Sequence, residues 1–253
     1  MNLRNYFTLL FVVHSCLLCY ANSQFRIVDG KSVNIEAIPY MVSLHYEKNF
    51  KCAGSLISME KVITAAHCLK DTKAKLFVVK AGVTNIVTET GQCRTVKKII
   101  IPDYKRNTKN MDIGAIKVSE PFIQSPQVNY ITICSTELRP GKPIKVSGWG
   151  STSVYSTDHV AELRTIIVPI VGTSECANRY QTIGRTLTKS MMCAGMCGSG
   201  AARGDSGGPG VVGGELCAVV SFGRFREIPA FPVVFTNITY KKVLKFIQKV
   251  MTW

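Results

Sequence analysis

After residue 20 the sequence has no apolar run long enough to cross a bilayer, so nothing beyond the N-terminus reads as a membrane span. It also lacks internal repeats and low-complexity tracts. Helical periodicity is nearly missing. Only residues 240–251 space apolar side chains for a helix, with Val243, Leu244, Ile247 and Val250 on one face and Thr239 placed to cap it. Acidic residues are scarce, 16 against 31 Lys and Arg, which gives a formal charge of +15 and favours acidic partners or anionic matrices. No nucleic-acid recognition motif accompanies that charge, so nucleic acid is not an expected partner.

What is present begins with an export pattern. Arg4 precedes an apolar block over 6–20, and small residues follow around Ala21 and Ser23. Residues 1–21 read as a signal peptide, which makes the product secreted and extracellular with no stable membrane association. Removing Arg4 and Arg26 lowers the formal charge from +15 to +13. Cys16 and Cys19 lie in that leader. Of the ten cysteines, eight then remain, an even number that points to disulfides. The rest of the 253 residues alternate apolar and polar side chains in short segments broken by turns, as in Met41-Val42-Ser43-Leu44. The spacing predicts an all-β fold of barrels or sandwiches.

Four stretches carry chemistry. Gly204-Asp205-Ser206-Gly207-Gly208-Pro209 sets one serine among glycines that let backbone N–H groups approach a substrate oxygen, although the same composition also fits a tight turn. Thr64-Ala65-Ala66-His67-Cys68 offers a histidine flanked by small residues, and a lone histidine is more often structural than reactive. Asp112, in Asn110-Met111-Asp112-Ile113, places an acid against an apolar strand, where it either caps a turn or serves a site. Arg26 before Ile27-Val28-Asp29-Gly30 is a cleavage site suited to a trypsin-like activator.

With these residues in order, the chain resembles the trypsin and chymotrypsin family of secreted serine proteases. Further matching stretches are Gly148-Trp149-Gly150, Met192-Cys193-Ala194-Gly195 and Ser221-Phe222-Gly223. The resemblance implies two six-stranded antiparallel β-barrels with a C-terminal helix: a first barrel over about 27–136, a second over about 137–237 and a helix over about 240–251. It implies a peptidase domain at 27–253 behind a short activation propeptide at 22–26. Catalysis would fall to His67, Asp112 and Ser206, with the N–H groups of Gly204 and Ser206 forming the oxyanion hole. Cleavage after Arg26 would free Ile27 to pair with Asp205. Implied partners are protein or peptide substrates, an activating trypsin-like protease and inhibitors of serpin or Kunitz type, and the chain is expected to be a monomer.

Several positions depart from the pattern. Gly200 stands where trypsin-like members carry the pocket aspartate, so preference for Lys or Arg is not expected. Gly223 and Val233 would line an apolar slot, which predicts cleavage after small or medium apolar residues. Phe222 replaces the usual tryptophan, while Ser221 and Gly223 keep the backbone that pairs with an extended substrate. Ala202 and Arg226 replace a pair of bridged cysteines, and Arg203 and Arg226 lie at the pocket rim. The resemblance implies bridges Cys52–Cys68 and Cys176–Cys193, and leaves Cys93, Cys134, Cys197 and Cys217 with three alternative pairings. Val83 and its neighbours lack the glutamates of a calcium loop, so no metal and no cofactor is expected. Asn237-Ile238-Thr239 is a glycosylation sequon. The competing expectation is a catalytically inactive homologue that acts as a binding or regulatory protein.

Overall fold

A computed structural model describes residues 30–151, 159–195, 204–223 and 231–253. The first strand, β1 (Lys31–Ser32), is short and exposed. The next six are β2 (Met41–Tyr46), β3 (Asn49–Ser58), β4 (Lys61–Thr64), β5 (Phe77–Ala81), β6 (Gln92–Ile100) and β7 (Gly114–Val118). They close into an antiparallel barrel in the order β2-β3-β4-β7-β6-β5. Closure explains their composition: with no free edge, β-branched and aliphatic side chains such as Val42, Leu44, Ile63, Val79 and Ile116 fill the interior and are fully buried.

The other six strands are β8 (Pro143–Gly148), β9 (Arg164–Val171), β10 (Met191–Ala194), β11 (Pro209–Val212), β12 (Glu215–Phe222) and β13 (Val233–Asn237). They run β9-β10-β13-β12-β11-β8, and β8 pairs back onto β9 to close a second barrel. The expected architecture of two six-stranded antiparallel barrels is therefore present. Strand β1 lies outside its own half of the chain. It pairs with β9 of the second barrel, Lys31 opposite Thr165, and the Arg164 guanidinium donates to the Gly30 carbonyl.

Three α-helices are described: α1 (Ala66–Leu69), α2 (Thr173–Gln181) and α3 (Lys241–Met251). Helix α2 was not legible in the sequence, because it buries only Cys176 and Tyr180 and leaves the rest of its surface polar. Helix α3 starts one residue later than expected, and its cap differs. Tyr240 occupies the N-cap position without a side-chain bond, while the Thr239 hydroxyl turns back onto the Asn237 side chain at 2.8 Å. The buried face of α3 is Val243, Phe246, Ile247 and Val250; Leu244 is only half-buried. The far end of α3 is tied to the first barrel, where the Lys61 ammonium donates to the Met251 carbonyl at 2.9 Å and the Lys98 ammonium sits 4.9 Å from the Trp253 ring centre. No helix among the described residues is long and apolar enough to cross a membrane.

Three disulfides join described residues: Cys52–Cys68, Cys134–Cys217 and Cys176–Cys193. The second is one of the bonds the sequence left open, but its companion in that pairing is not made, since Cys93 carries no bridge. Cys93 is free and exposed, and Cys197 lies outside the described residues.

Candidate active site

His67 sits on the single turn of α1, directly after β4, and the Cys52–Cys68 bridge ties that turn to β3. Asp112 lies just before β7, at the end of the loop 102–111. Neighbouring strands β4 and β7 are paired, Thr64 opposite Gly114, so the two residues emerge side by side. The Asp112 carboxylate is fully buried. One oxygen accepts the His67 backbone N–H at 2.9 Å and the other meets His67 Nδ1 at 2.8 Å. Because a carboxylate accepts, Nδ1 carries the hydrogen, and in the neutral ring Nε2 is the nitrogen with a lone pair.

The second barrel completes the enclosure of this aspartate. A β-bulge in β12 between Val220 and Phe222 turns Ser221 toward it, and the Ser221 hydroxyl donates to Asp112 Oδ2 at 2.5 Å. The Thr236 hydroxyl, on β13, donates to the Asp112 backbone carbonyl at 2.7 Å. Neither contact to Asp112 was legible in the sequence, which pointed to Ser221 only as a backbone partner for substrate.

Ser206 is half-exposed between the barrels. Its carbonyl accepts from Ala53 N–H at 2.9 Å, and Gly207 packs so closely on Thr64 and the Ala53 carbonyl that no side chain would fit there. Glycine is required for a second reason: Gly204 and Gly207 have φ of 99° and 79°. These contacts place Ser206 beside the β4–α1 junction that carries His67. Among the described residues no hydrogen bond joins Ser206 Oγ to His67, and neither Gly204 N–H nor Ser206 N–H donates to a protein acceptor.

Asp205 is buried, and its Oδ1 accepts from Gly150 N–H at 2.8 Å. Of the other expected site residues, Val233 is buried opposite Ala194, Phe222 and Gly223 are half-exposed, and Asn237 is half-buried with its Oδ1 accepting from Thr239 N–H. Arg26, Ile27, Gly200, Ala202, Arg203 and Arg226 lie outside the described residues. Two side-chain clusters have metal-ligand composition, Cys52 with His67 and Cys68, and Cys134 with Glu215 and Cys217, but each contains a disulfide whose sulfurs are already spent. Near Val83, Glu89 accepts from the Thr84 and Asn85 N–H groups, and the Lys80 ammonium donates to the Ile86 and Glu89 carbonyls.

The family model described as Trypsin matches residues 27–247. The chain belongs to the trypsin family of serine endopeptidases. Relatives at this level include Seminase of Drosophila melanogaster, 34% identical over 223 residues that span 87% of this chain and 80% of the relative. Trypsin zeta of the same fly is 36% identical over 238 residues, spanning 85% and 82%. Among solved structures, the scabies mite inactivated protease paralogue S-D1 superposes with a TM-score of 0.81 at 27% identity, over 88% of this trypsin-family chain and 96% of that one.

Proposed function

We propose that this trypsin-family chain is a secreted endopeptidase that cuts peptide bonds through an acyl-enzyme on Ser206. The observation that carries the reading is the His67–Asp112–Ser221 array, which engages Nδ1 and leaves Nε2 without a hydrogen bond among the described residues. In the reaction Ser206 Oγ attacks the scissile carbonyl carbon while its proton passes to Nε2. The tetrahedral oxyanion is received by the N–H groups of Gly204 and Ser206, each worth about 3 kcal/mol in comparable sites. The C–N bond then breaks as His67 returns the proton to the leaving amine. Water repeats the cycle on the ester and releases the acid. The absent Ser206–His67 bond fits this scheme, because such bonds tighten when substrate is bound.

Activation would follow cleavage after Arg26. Gly30 is anchored on the second barrel by Arg164, and Arg164 pairs with Gly148, which packs against Asp205. Ile27 is three residues upstream of Gly30, a reach of roughly 10 Å, and in this reading its freed amine pairs with the Asp205 carboxylate. The buried Val233 and the half-exposed Phe222 support a small apolar pocket. A panel of peptides varied at the residue before the cut tests the reading: preference for small or medium apolar residues supports it, and preference for Arg contradicts it. A second reading, a binding or regulatory homologue without activity, is favoured by one observation, the likeness to an inactivated paralogue. Turnover of any peptide in the panel excludes it.

A further inference from the structure

The approach to Asp112 carries two cations that the chemistry above does not use. Lys109 and Met111 flank Asn110 with φ of 56° and 57°. The buried Ser190 hydroxyl fixes that strained turn, accepting from Met111 N–H at 3.1 Å and donating to Asn110 Oδ1 at 3.0 Å. Lys109 is thereby held with its ammonium 5.9 Å from the centre of the Tyr104 ring. From the second barrel, Arg185 follows α2 and lays its guanidinium 3.9 Å from the centre of the Phe222 ring. Phe222 is the residue after Ser221, whose hydroxyl reaches Asp112, and Tyr180 props the ring edge-on at 5.7 Å.

Neighbouring cations have acids of their own: Arg106 pairs with Asp71 at 2.5 Å and Lys105 with Asp103 at 2.8 Å. Among the described residues Lys109 and Arg185 contact no carboxylate, only aromatic rings. Asp112 is near, but both its oxygens are taken by His67 and Ser221. Burial lowers the proton affinity of Lys109, Asp112 opposes this, and Arg185 and Arg106 add to the lowering. The hydroxyl of Tyr104 is buried without a hydrogen-bond partner, and its pKa is pushed up to about 12, by burial first and then by Asp112. Solvated surface lysines do not show this combination of half-burial, stacking on rings and mutual repulsion.

We infer that Lys109 and Arg185, backed by Tyr104 and Phe222, form an anion subsite that selects substrates with an Asp or Glu side chain ahead of the scissile bond. The inference rests on the proposed protease reading, since Phe222 borders the edge along which an extended substrate would run. An acidic side chain would supply the charge these cations lack, and the flat rings would hold its methylene stem. Charge complementarity of this kind sets specificity and weakens with salt.

The test uses peptide pairs that differ only in Glu against Gln at the second, third or fourth position before the cut, the residue next to the cut being kept small and apolar. The activated full-length enzyme should cleave the Glu peptide with about tenfold higher kcat/KM at one of these positions, the advantage shrinking as salt rises. The ratio should fall to near one in a Lys109→Gln/Arg185→Gln variant. The same pairs, fluorescently labelled, are then bound to a Ser206→Ala protein. Glu-over-Gln binding that survives there, in a protein whose parent turns over no peptide, would contradict the protease reading and uphold the subsite. Turnover or binding without a Glu advantage, or an advantage that persists in the double variant, would overturn the subsite.

Discussion

Asp112 and Asp205 are both buried carboxylates, with 0% and 1% of their surface exposed, and glycines crowd only the second of them. Asp112 is enclosed by side-chain and backbone donors drawn from both barrels: the His67 ring and N–H from the first, the Ser221 hydroxyl from the second. Asp205 has two glycines packed directly against its carboxylate. A Cβ on Gly150 would fall 2.5 Å from its carboxylate and one on Gly148 closer still, and the Gly150 N–H bonds its Oδ1. The first arrangement holds the His67 imidazole in one orientation and depends on individual hydrogen bonds. The second leaves no room for a Cβ at Gly148 or Gly150.

The comparison can be broken at either carboxylate. The largest effect belongs to Asp112→Asn, which keeps the volume but can donate to Nδ1 and so favours the wrong tautomer; kcat should fall by about 10⁴-fold with folding intact by circular dichroism. Next comes Arg26→Gln, which leaves the chain uncut and Asp205 without the Ile27 amine. If Asp205 braces the oxyanion hole only after cleavage, activity should be about 10²- to 10³-fold below that of the processed enzyme, measured as kcat/KM on one peptide. A smaller effect is expected from Gly150→Ala. The added methyl meets the Asp205 carboxylate, and urea unfolding should show a loss of about 1–3 kcal/mol.

The smallest effect sharpens the comparison with a third acid at the surface. The pKa of Glu215 is held down to about 2 by hydrogen bonds, first from the Ser135 hydroxyl, then from the Ser135 N–H and from Thr136. A depressed folded pKa contributes stability above the unfolded value, 4.5, and that contribution is lost as pH falls toward 2. Glu215→Gln should therefore be slightly less stable at neutral pH, and the gap to the parent should close across that acid window in thermal melts.

The residues of the proposed site stood out in the sequence because each sits in a short run of distinctive composition: small residues around His67, glycines around Ser206. Strand content was legible from alternation, and the two-barrel arrangement from the family resemblance. What escaped the sequence was brought together by closure of the second barrel. The pairing of β1 with β9, the Ser221 bulge and the Thr236 contact to Asp112 all join segments far apart in the chain, and no local pattern encodes them. Helix α2 escaped because two buried residues give too narrow an apolar face, and the Cys134–Cys217 bridge because four spare cysteines admit three pairings.

In the proposed reading the two carboxylates together make Ser206 a nucleophile once the chain is cut. The most direct measurement is labelling by an organophosphate, read by mass spectrometry on the peptide that contains Ser206. Near-stoichiometric modification of Ser206 is expected after cleavage between Arg26 and Ile27, with far slower modification of the uncut chain. No modification of a correctly cut, folded protein would contradict the account.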